Sequence, residues 1–374
     1  MFGSCGDVRP RRARRTRGVS DANPFAERLS DLSARIRRRR LDVAVLFGEA
    51  NIRALTGLVC DNGCLVVTAA GAVVFATDFR YVPMAHRVAP WLETRELPRK
   101  STFADFVGRL GRGWTHLGYE GTLDVRRYLQ LVKKFPAAKF VDVGDDVLAL
   151  RAVKTVDEIA RIAATEALND EIWARAQDDI KPGMTEKDIQ RVIRAWMNAL
   201  GDGEAFETIV CAGANAAECH HVPDDTVWRT NEPLLVDMGV LLDGMHADMT
   251  RNIRPPKGAD RLYDKIYNLV LKANRAAIAA AQPGMTTGAL DKVAREIIDQ
   301  AGYGAAFGHS LGHGVGYEIH ELPVARPDDK TVLEPGMFVT IEPGIYLEGR
   351  LGVRIEDLVL ITTTGCEVMS HSAK

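Results

Sequence analysis

The strongest constraint on how this chain folds is a repeat inside it. KPGMTEKDIQRVIRAWMNALGDGEAF, residues 181–206, aligns without a gap on QPGMTTGALDKVAREIIDQAGYGAAF, residues 282–307, at a constant offset of 101. Leaving out the first column, 10 of 25 pairs are identical: Pro-Gly-Met-Thr, Val192/Val293, Arg194/Arg295, two glycine pairs and the closing Ala-Phe. A Pro-Gly turn followed by a Thr N-cap is a common way to start a helix and recurs by chance. Agreement that persists as far as Ala-Phe is better explained by duplication. Each copy then reads as helix, turn, helix, strand. Two such halves, related by pseudo-symmetry, are expected to face each other and build a site from both.

The residues ahead of the repeat follow a different pattern. Residues 1–24 (MFGSCGDVRPRRARRTRGVSDANP) lack periodicity and read as a disordered basic tail. Apolar residues at 25, 29, 32 and 36 predict a helix, and LDVAVLF (41–47) predicts a buried strand. CLVVT and AVVFAT flank Ala-Ala-Gly at 69–71 and read as a hairpin. A helical pattern at 101–112 and a strand at 115–121 follow. This alternation predicts an α/β domain over 25–150 and a second domain over 151–374, opening with a charged helix near Thr155.

Charge and composition then exclude several function classes. The formal net charge is −2, yet residues 1–40 hold 12 Arg against 4 acids, leaving the remainder at −10. A uniformly basic nucleic-acid binder is therefore excluded. The longest run free of Asp, Glu, Lys, Arg and His, residues 62–77, is broken by Gly63 and Gly71. It falls short of the roughly twenty apolar residues a membrane span needs. The Arg-rich start has no apolar stretch after it, so a secretory signal is not expected. The six Cys form no disulfide framework; Cys60 and Cys64 make a lone C-x3-C and read as small strand residues. A cytoplasmic protein is expected.

Four later segments place acids or histidines where a metal site could use them. LLVDMGVLLDGMHADMTRNI (234–253) offers Asp237 and Asp248, on adjacent strands joined by a turn at Asp243-Gly244. Their odd separation leaves the relative facing open, because the turn register decides it. GHSLGHGVGYEIHELP (308–323) supplies His309, His313 and His320. Glu342 follows the apolar run in FVTIEPGIY, and Glu356 sits inside GVRIEDLVLIT. Each residue alone has a bland explanation as a turn acid or a satisfied core histidine. Four carboxylates and an imidazole on apolar strands do not, because unpaired buried carboxylates are expensive and repel one another. Two divalent cations remove that cost. Oxygen-dominated ligation with one His suits Mn²⁺ or Co²⁺, and also Zn²⁺ or Fe²⁺. A paired-metal site suits amide hydrolysis. A serine mechanism has less support, since G-x-S-x-G is absent and Ser310 lacks the strand–elbow context. The glycine-rich run 308–316 also lacks the phosphate-loop pattern.

At these segments the chain resembles the pita-bread metallopeptidases of the creatinase/prolidase type, such as Xaa-Pro dipeptidases and Xaa-Pro aminopeptidases. The resemblance rests on FETIVCAGANAAECHHVPDD (206–225), the two-Asp segment, GHSLGHGVGYEIHELP, TIEPGIY and GVRIED. ALTG (54–57), TDFRY (77–81) and LGYE (117–120) resemble the family's N-terminal domain. It implies an α/β (α+β) protein: a creatinase-like N-terminal α/β domain, then a pseudo-symmetric duplicated pita-bread catalytic domain. It implies a dinuclear-metal exopeptidase, a homodimer, that hydrolyses the Xaa-Pro bond of dipeptides or short peptides through a metal-bridging hydroxide. By the same resemblance Asp237 chelates one metal, Asp248 and Glu356 bridge both, and His313 and Glu342 complete the set. Glu342 also manages the nucleophile's proton. His220 and His320 contact substrate and stabilise the tetrahedral intermediate. His309 lines the site beyond the scissile bond, and Arg354 orients a metal or substrate carboxylate. Ser310 and Cys219 depart from the usual Gly and Pro.

Other residues receive no role at this stage. His221 reads as the more exposed neighbour of His220, and His246 as a surface residue. Asp243 reads as a turn residue, and Asp357 as pointing to the opposite strand face from Glu356. Two other functions fit the same fold: creatinase-like small-amide C–N hydrolysis, and binding by an inactive scaffold. The full set of five ligands argues against both.

Overall fold

In the computed structural model, which describes residue 23 and residues 25–374, the apolar run at 41–47 forms strand β1 (Val43–Leu46). All four of its side chains are buried, each worth about 1.5–3 kcal/mol for a large aliphatic group. Such a run needs cover on both faces. It has it: Val43 and Val45 enter one core with Phe106 and Leu131, while Ala44 and Leu46 enter another with Leu32 and Ile36. The expected tail lies outside the described residues apart from Asn23.

The strands β2 (Gly63–Thr68), β3 (Val73–Thr77), β4 (Glu93–Glu96), β5 (His116–Tyr119) and β6 (Lys139–Asp142) join β1 in one sheet, ordered β4-β3-β2-β1-β5-β6. β2 and β3 form the expected antiparallel hairpin, with Gly71 in its turn at φ +91°. Cys64 lies on β2, whereas Cys60 sits buried in the loop before it, correcting the strand reading for that residue. Helices α1 (Ala26–Arg38), α2 (Glu49–Thr56), α3 (Val82–Val88), α4 (Phe103–Leu110), α5 (Val125–Lys134) and α6 (Gly144–Ala152) accompany the sheet.

The repeat is visible as two helix pairs. α7 (Val156–Asp179), capped by a Thr155/Glu158 capping box, packs against α8 (Glu186–Leu200). α9 (Arg261–Ala280) packs against α10 (Thr287–Gln300). The aligned threonines Thr185 and Thr286 cap α8 and α10, and pair across β-bridges with Val227 and Val332. The aligned glycines take φ +97° at Gly183 and +85° at Gly284. Their amides donate to the Trp228 and Leu333 carbonyls, each at 2.9 Å. Duplication thus reproduces hydrogen bonds as well as residue types.

Each helix pair backs a set of short strands. The first half contributes β7 (Gly203–Glu204), β8 (Ile209–Ala212), β9 (Leu234–Met238), β10 (Val240–Leu242), β11 (Met245–His246) and β12 (Met249–Ile253), with β9 between β8 and β12. The second contributes β13 (Gly312–Gly314), β14 (Glu321–Ala325), β15 (Phe338–Ile341), β16 (Gly344–Leu347), β17 (Leu351–Arg354), β18 (Asp357–Ile361) and β19 (Cys366–Val368). The halves meet where β12 lies beside β18, and the Glu356 amide reaches the Thr250 carbonyl at 3.3 Å. Among the described residues no helix is long and apolar enough to cross a membrane.

Candidate metal centre

Strand register decides which side chains meet. Thr250 on β12 stands opposite Asp237 on β9, and cross-strand partners share a face. Asp248 lies two residues before Thr250, so it comes to the Asp237 side. The turn that permits this has Asp243 at φ +49° and Gly244 at φ +68°, the two left-handed residues of a type I′ hairpin. In the other half Ile341 pairs with Asp357, which sets Glu342 opposite Glu356 just past the strand ends. Asp248 therefore precedes β12 as Glu356 precedes β18, one from each half.

All nine residues singled out in the sequence line one cavity of about 460 Å³: His220, Asp237, Asp248, His309, His313, His320, Glu342, Arg354 and Glu356. Phe206, Ile209, Ile319, Val324 and Tyr346 supply apolar wall. Asp248, His313 and Glu356 each bring a ligand atom within 4.8 Å of the others. His313 Nε2 lies 3.4 Å from Glu342 Oε1 and 3.5 Å from Asp248 Oδ2. Arg354 Nη2 donates to Asp237 Oδ2 at 2.5 Å, while Asp237 Oδ1 is buried without a partner among the described residues.

The electrostatics of this cluster call for a cation. Burial pushes Asp248 and Glu356 well above the carboxylate range, and the neighbouring carboxylates add to it. Burial also raises Glu342. At separations near 5 Å each charged pair repels by roughly 3–4 kcal/mol at an effective dielectric of about 20. A few such pairs rival the whole stability of a domain, about 5–15 kcal/mol. Among the described residues that line the cavity, Arg354 is the one Lys or Arg. His313 sharpens the point. Its Nδ1 faces the Gly314 carbonyl at 3.1 Å, and a carbonyl only accepts, so the proton sits on Nδ1. Burial lowers the His313 pKa and favours the neutral ring. A bare Nε2 lone pair then faces two carboxylates. Lone pairs converging in this way, with the orphaned Asp237 oxygen beside them, fit metal ions.

Comparison with known proteins gives the family and the fold. Residues 160–363 match the model of metallopeptidase family M24, and residues 28–153 match the creatinase/prolidase N-terminal domain. The chain belongs to metallopeptidase family M24. An uncharacterized peptidase of Staphylococcus aureus (strain bovine RF122 / ET3-1) is 36% identical over 299 residues, covering 76% of this M24 chain and 84% of the relative. Among solved structures, the prolidase of Pyrococcus horikoshii OT3 has a TM-score of 0.87 at 30% identity, covering 93% of this chain and 99% of its own. The Xaa-Pro dipeptidase of Bacillus anthracis gives 0.88 at 32%, covering 94% and 98%. The X-Pro aminopeptidase of Thermotoga maritima gives 0.81 at 29%, covering 91% and 98%. The fold is the mixed α/β architecture of prolidases, with the expected N-terminal domain ahead of an M24 catalytic domain.

Hydrogen bonds around the M24 cluster bring in residues that sequence reasoning passed over. Thr250 Oγ1 donates to Glu356 Oε2 at 2.7 Å and accepts from Arg354 Nε at 2.9 Å. Thr340 Oγ1 donates to Glu342 Oε1 at 3.0 Å. Tyr346 OH accepts from Arg354 Nη1 at 3.0 Å and meets His309 Nε2 at 2.9 Å. The His309 Nδ1 proton goes to the Ser310 carbonyl, so the tyrosine donates to Nε2. Tyr346 lies within the TIEPGIY segment, but its register with Arg354 is tertiary. Partners of this kind set the orientation of metal ligands, and losing one typically costs 10–100-fold in metal affinity. Thr250→Val is therefore expected to weaken metal binding by roughly that factor with the fold retained. Isothermal titration of the metal-stripped protein measures it; wild-type affinity in the variant would remove Thr250 from the set.

Two histidine readings are corrected. His220 is the exposed one and His221 the more buried. His221 Nε2 reaches Glu186 Oε2 at 2.8 Å, and its Nδ1 reaches Glu218 at 3.2 Å. Burial works to lower the His221 pKa, but the two carboxylates outweigh it and raise it. Glu186 also accepts from the amides of Ala212 and Asp224 and from Asn215 Nδ2, so this group is satisfied internally. His246 is partly buried, its ring and amide both on the Gly316 carbonyl. Asp357 faces away from the cluster as expected and is held in the core by Arg251 at 2.9 Å.

Proposed function

We propose that this M24 metallopeptidase hydrolyses the Xaa-Pro bond of dipeptides or short peptides with two divalent cations, Mn²⁺ first among them. Asp237, Asp248, His313, Glu342 and Glu356 would hold the pair. The observation that carries the reading is the convergence of Asp248, His313 and Glu356 ligand atoms from both halves in one cleft, beside the buried Asp237 Oδ1 that has no partner among the described residues. The prolidase and X-Pro peptidase folds this chain shares support the substrate class.

When bound, the ions supply Lewis acidity, polarising the scissile carbonyl and making water acidic enough to attack at neutral pH. The protein's side chains do the rest. Glu342 takes the nucleophile's proton as the C–O bond forms, then passes it to the prolyl nitrogen as C–N breaks. Thr340 fixes the orientation of its carboxylate. His220 and His320 donate to the oxygen that becomes negative in the tetrahedral intermediate, a contribution worth about 100–1,000-fold in kcat at comparable sites. The apolar wall of Phe206, Ile209, Ile319 and Val324 receives the pyrrolidine ring. His309 lines the side beyond the scissile bond, and Arg354 holds Asp237. A cytoplasmic homodimer is part of the same proposal.

The test is hydrolysis by metal-reconstituted protein of an Xaa-Pro dipeptide, an Xaa-Pro tripeptide and a non-prolyl dipeptide. We expect cleavage of prolyl substrates that stops on chelation. Equal rates without proline would retire the specificity and leave the metal site.

A further inference from the structure

His320 stands in the cleft with its ring centroid 4.4 Å from that of His313, yet the loop that carries it is anchored by the other domain's end of the chain. The next residue, Glu321, opens β14 and is buried. Its Oε2 accepts from Lys154 Nζ at 2.7 Å, and its Oε1 accepts from Arg151 Nη2. Arg151 lies on α6, is 2% exposed, and also reaches Glu318 at 2.8 Å. Through Nη1 it donates to Asn51 Oδ1 on α2 at 2.6 Å. Asn51 Nδ2 donates to Glu120 at 2.6 Å, and Glu120 accepts the amides of Phe47 and Gly48 at 2.5 and 2.8 Å. An unbroken line of buried polar groups thus runs from the end of β1 to the residue after His320.

This line closes on the loop itself. Glu321 Oε1 also accepts the Glu318 amide at 2.9 Å, which tightens the turn over 318–321. The Gly316 amide meets the Glu318 carbonyl at 3.1 Å. Burial works to raise the Glu321 carboxyl, but Lys154 and Arg151 overcome it and bring it to about 2, so the anchor stays charged. A buried ion group of this kind is seldom worth more to stability than a well-packed apolar replacement. What it supplies here is one geometry for the loop.

We propose that Arg151, with Lys154 and acting through Glu321, is the positioning residue for His320, so that α6 and, through Asn51, α2 beside the first sheet set the place of an imidazole in the cleft. The proposal rests on the peptidase reading above for its kinetic arm. Misplacing a reacting-centre group by about 1 Å costs on the order of 100-fold. Arg151→Met is therefore expected to lower kcat about 10–100-fold, with KM changed less than about twofold and bound metal unchanged, while Arg151→Lys restores part of the rate. The discriminating measurement repeats Arg151→Met in a His320→Ala background, where it is expected to cost less than about twofold, because residues acting as one unit are not additive. The same loss in both backgrounds, or none in either, would overturn the proposal. Should Arg151→Met fail to fold, Asn51→Ala breaks the line further back and takes the same two-background comparison. Hydrogen exchange provides an arm independent of turnover: peptides covering 314–321 are expected to exchange faster in the variant while 249–253 do not. If the wild type cleaves no prolyl substrate, the functional reading fails, and unchanged exchange over 314–321 separately overturns the anchor.

Discussion

Asp248→Ala is expected to abolish metal-dependent hydrolysis, lowering kcat by roughly 10⁴-fold or more, the scale seen when a unit of the catalytic machinery is removed. The variant is not expected to lose activity by unfolding. Asp248 is buried among Glu356, Asp237 and Glu342, and each of them raises its pKa on top of burial. Deleting it relieves repulsion in the metal-free protein. Its amide bond to Glu166 at 3.1 Å is a backbone contact that any residue keeps. The expected signature is therefore metal-free melting at or above the wild-type temperature, with metal no longer stabilising and turnover gone. Wild-type turnover in Asp248→Ala would remove the peptidase mechanism altogether.

Metal removal is expected to produce the second large effect, and it depends on pH. Asp248, Glu342 and Glu356 have folded-state pKa values raised by burial and by neighbouring carboxylates, Asp237 acting on all three. A raised carboxylate makes the native state bind more protons than the unfolded one. Its contribution is fully present below the unfolded value near 4 and is lost as pH rises through the folded value. Glu166, pushed by burial to about 8, acts in the same sense. Metal-free protein should therefore lose stability from about pH 5 to pH 8, whereas metal-loaded protein should lose only the smaller share due to Glu166, because at the ligands the cations take over the role of the protons. A ligand at a thousandfold excess over its dissociation constant is worth about 4 kcal/mol, on the order of 10 °C in Tm. Calorimetry with and without chelator at pH 5 and pH 8 measures the gap. It should widen with pH, and a gap that stays constant would contradict the assignment of these acids as the metal-free protein's weak point.

What sequence alone could reveal of the site depended on cost. Asp237, Asp248, Glu342 and Glu356 stood out because an acid inside an apolar strand breaks the pattern that surrounds it, and such breaks mark function. Thr250, Thr340 and Tyr346 break no pattern. A threonine or tyrosine on a strand is ordinary, so nothing marked them until Thr250 was found between Glu356 and Arg354. The adjacent pair His220 and His221 was misread for a related reason. Which ring reaches the cleft is set by how the loop over 212–224 hangs on Glu186, and that carboxylate lies on a helix far back in the chain. The Arg151–Glu321 contact spans 170 positions and was equally invisible.

The sequence by itself determined the duplicated helix starts, the buried strands of the first sheet and the four acids among the metal-ligand candidates, because these follow from local propensity, turn chemistry and the cost of unpaired charge; the choice of His313 among three histidines came from the family resemblance. Only the tertiary structure decided that they converge. Register placed Thr250 opposite Asp237 and Glu342 opposite Glu356, and a shift of one residue would have turned either acid to the far face. Packing of one half against the other then brought Asp248 and Glu356 together, since long-range contacts are fixed by the sum of the packing and by no local stretch of chain.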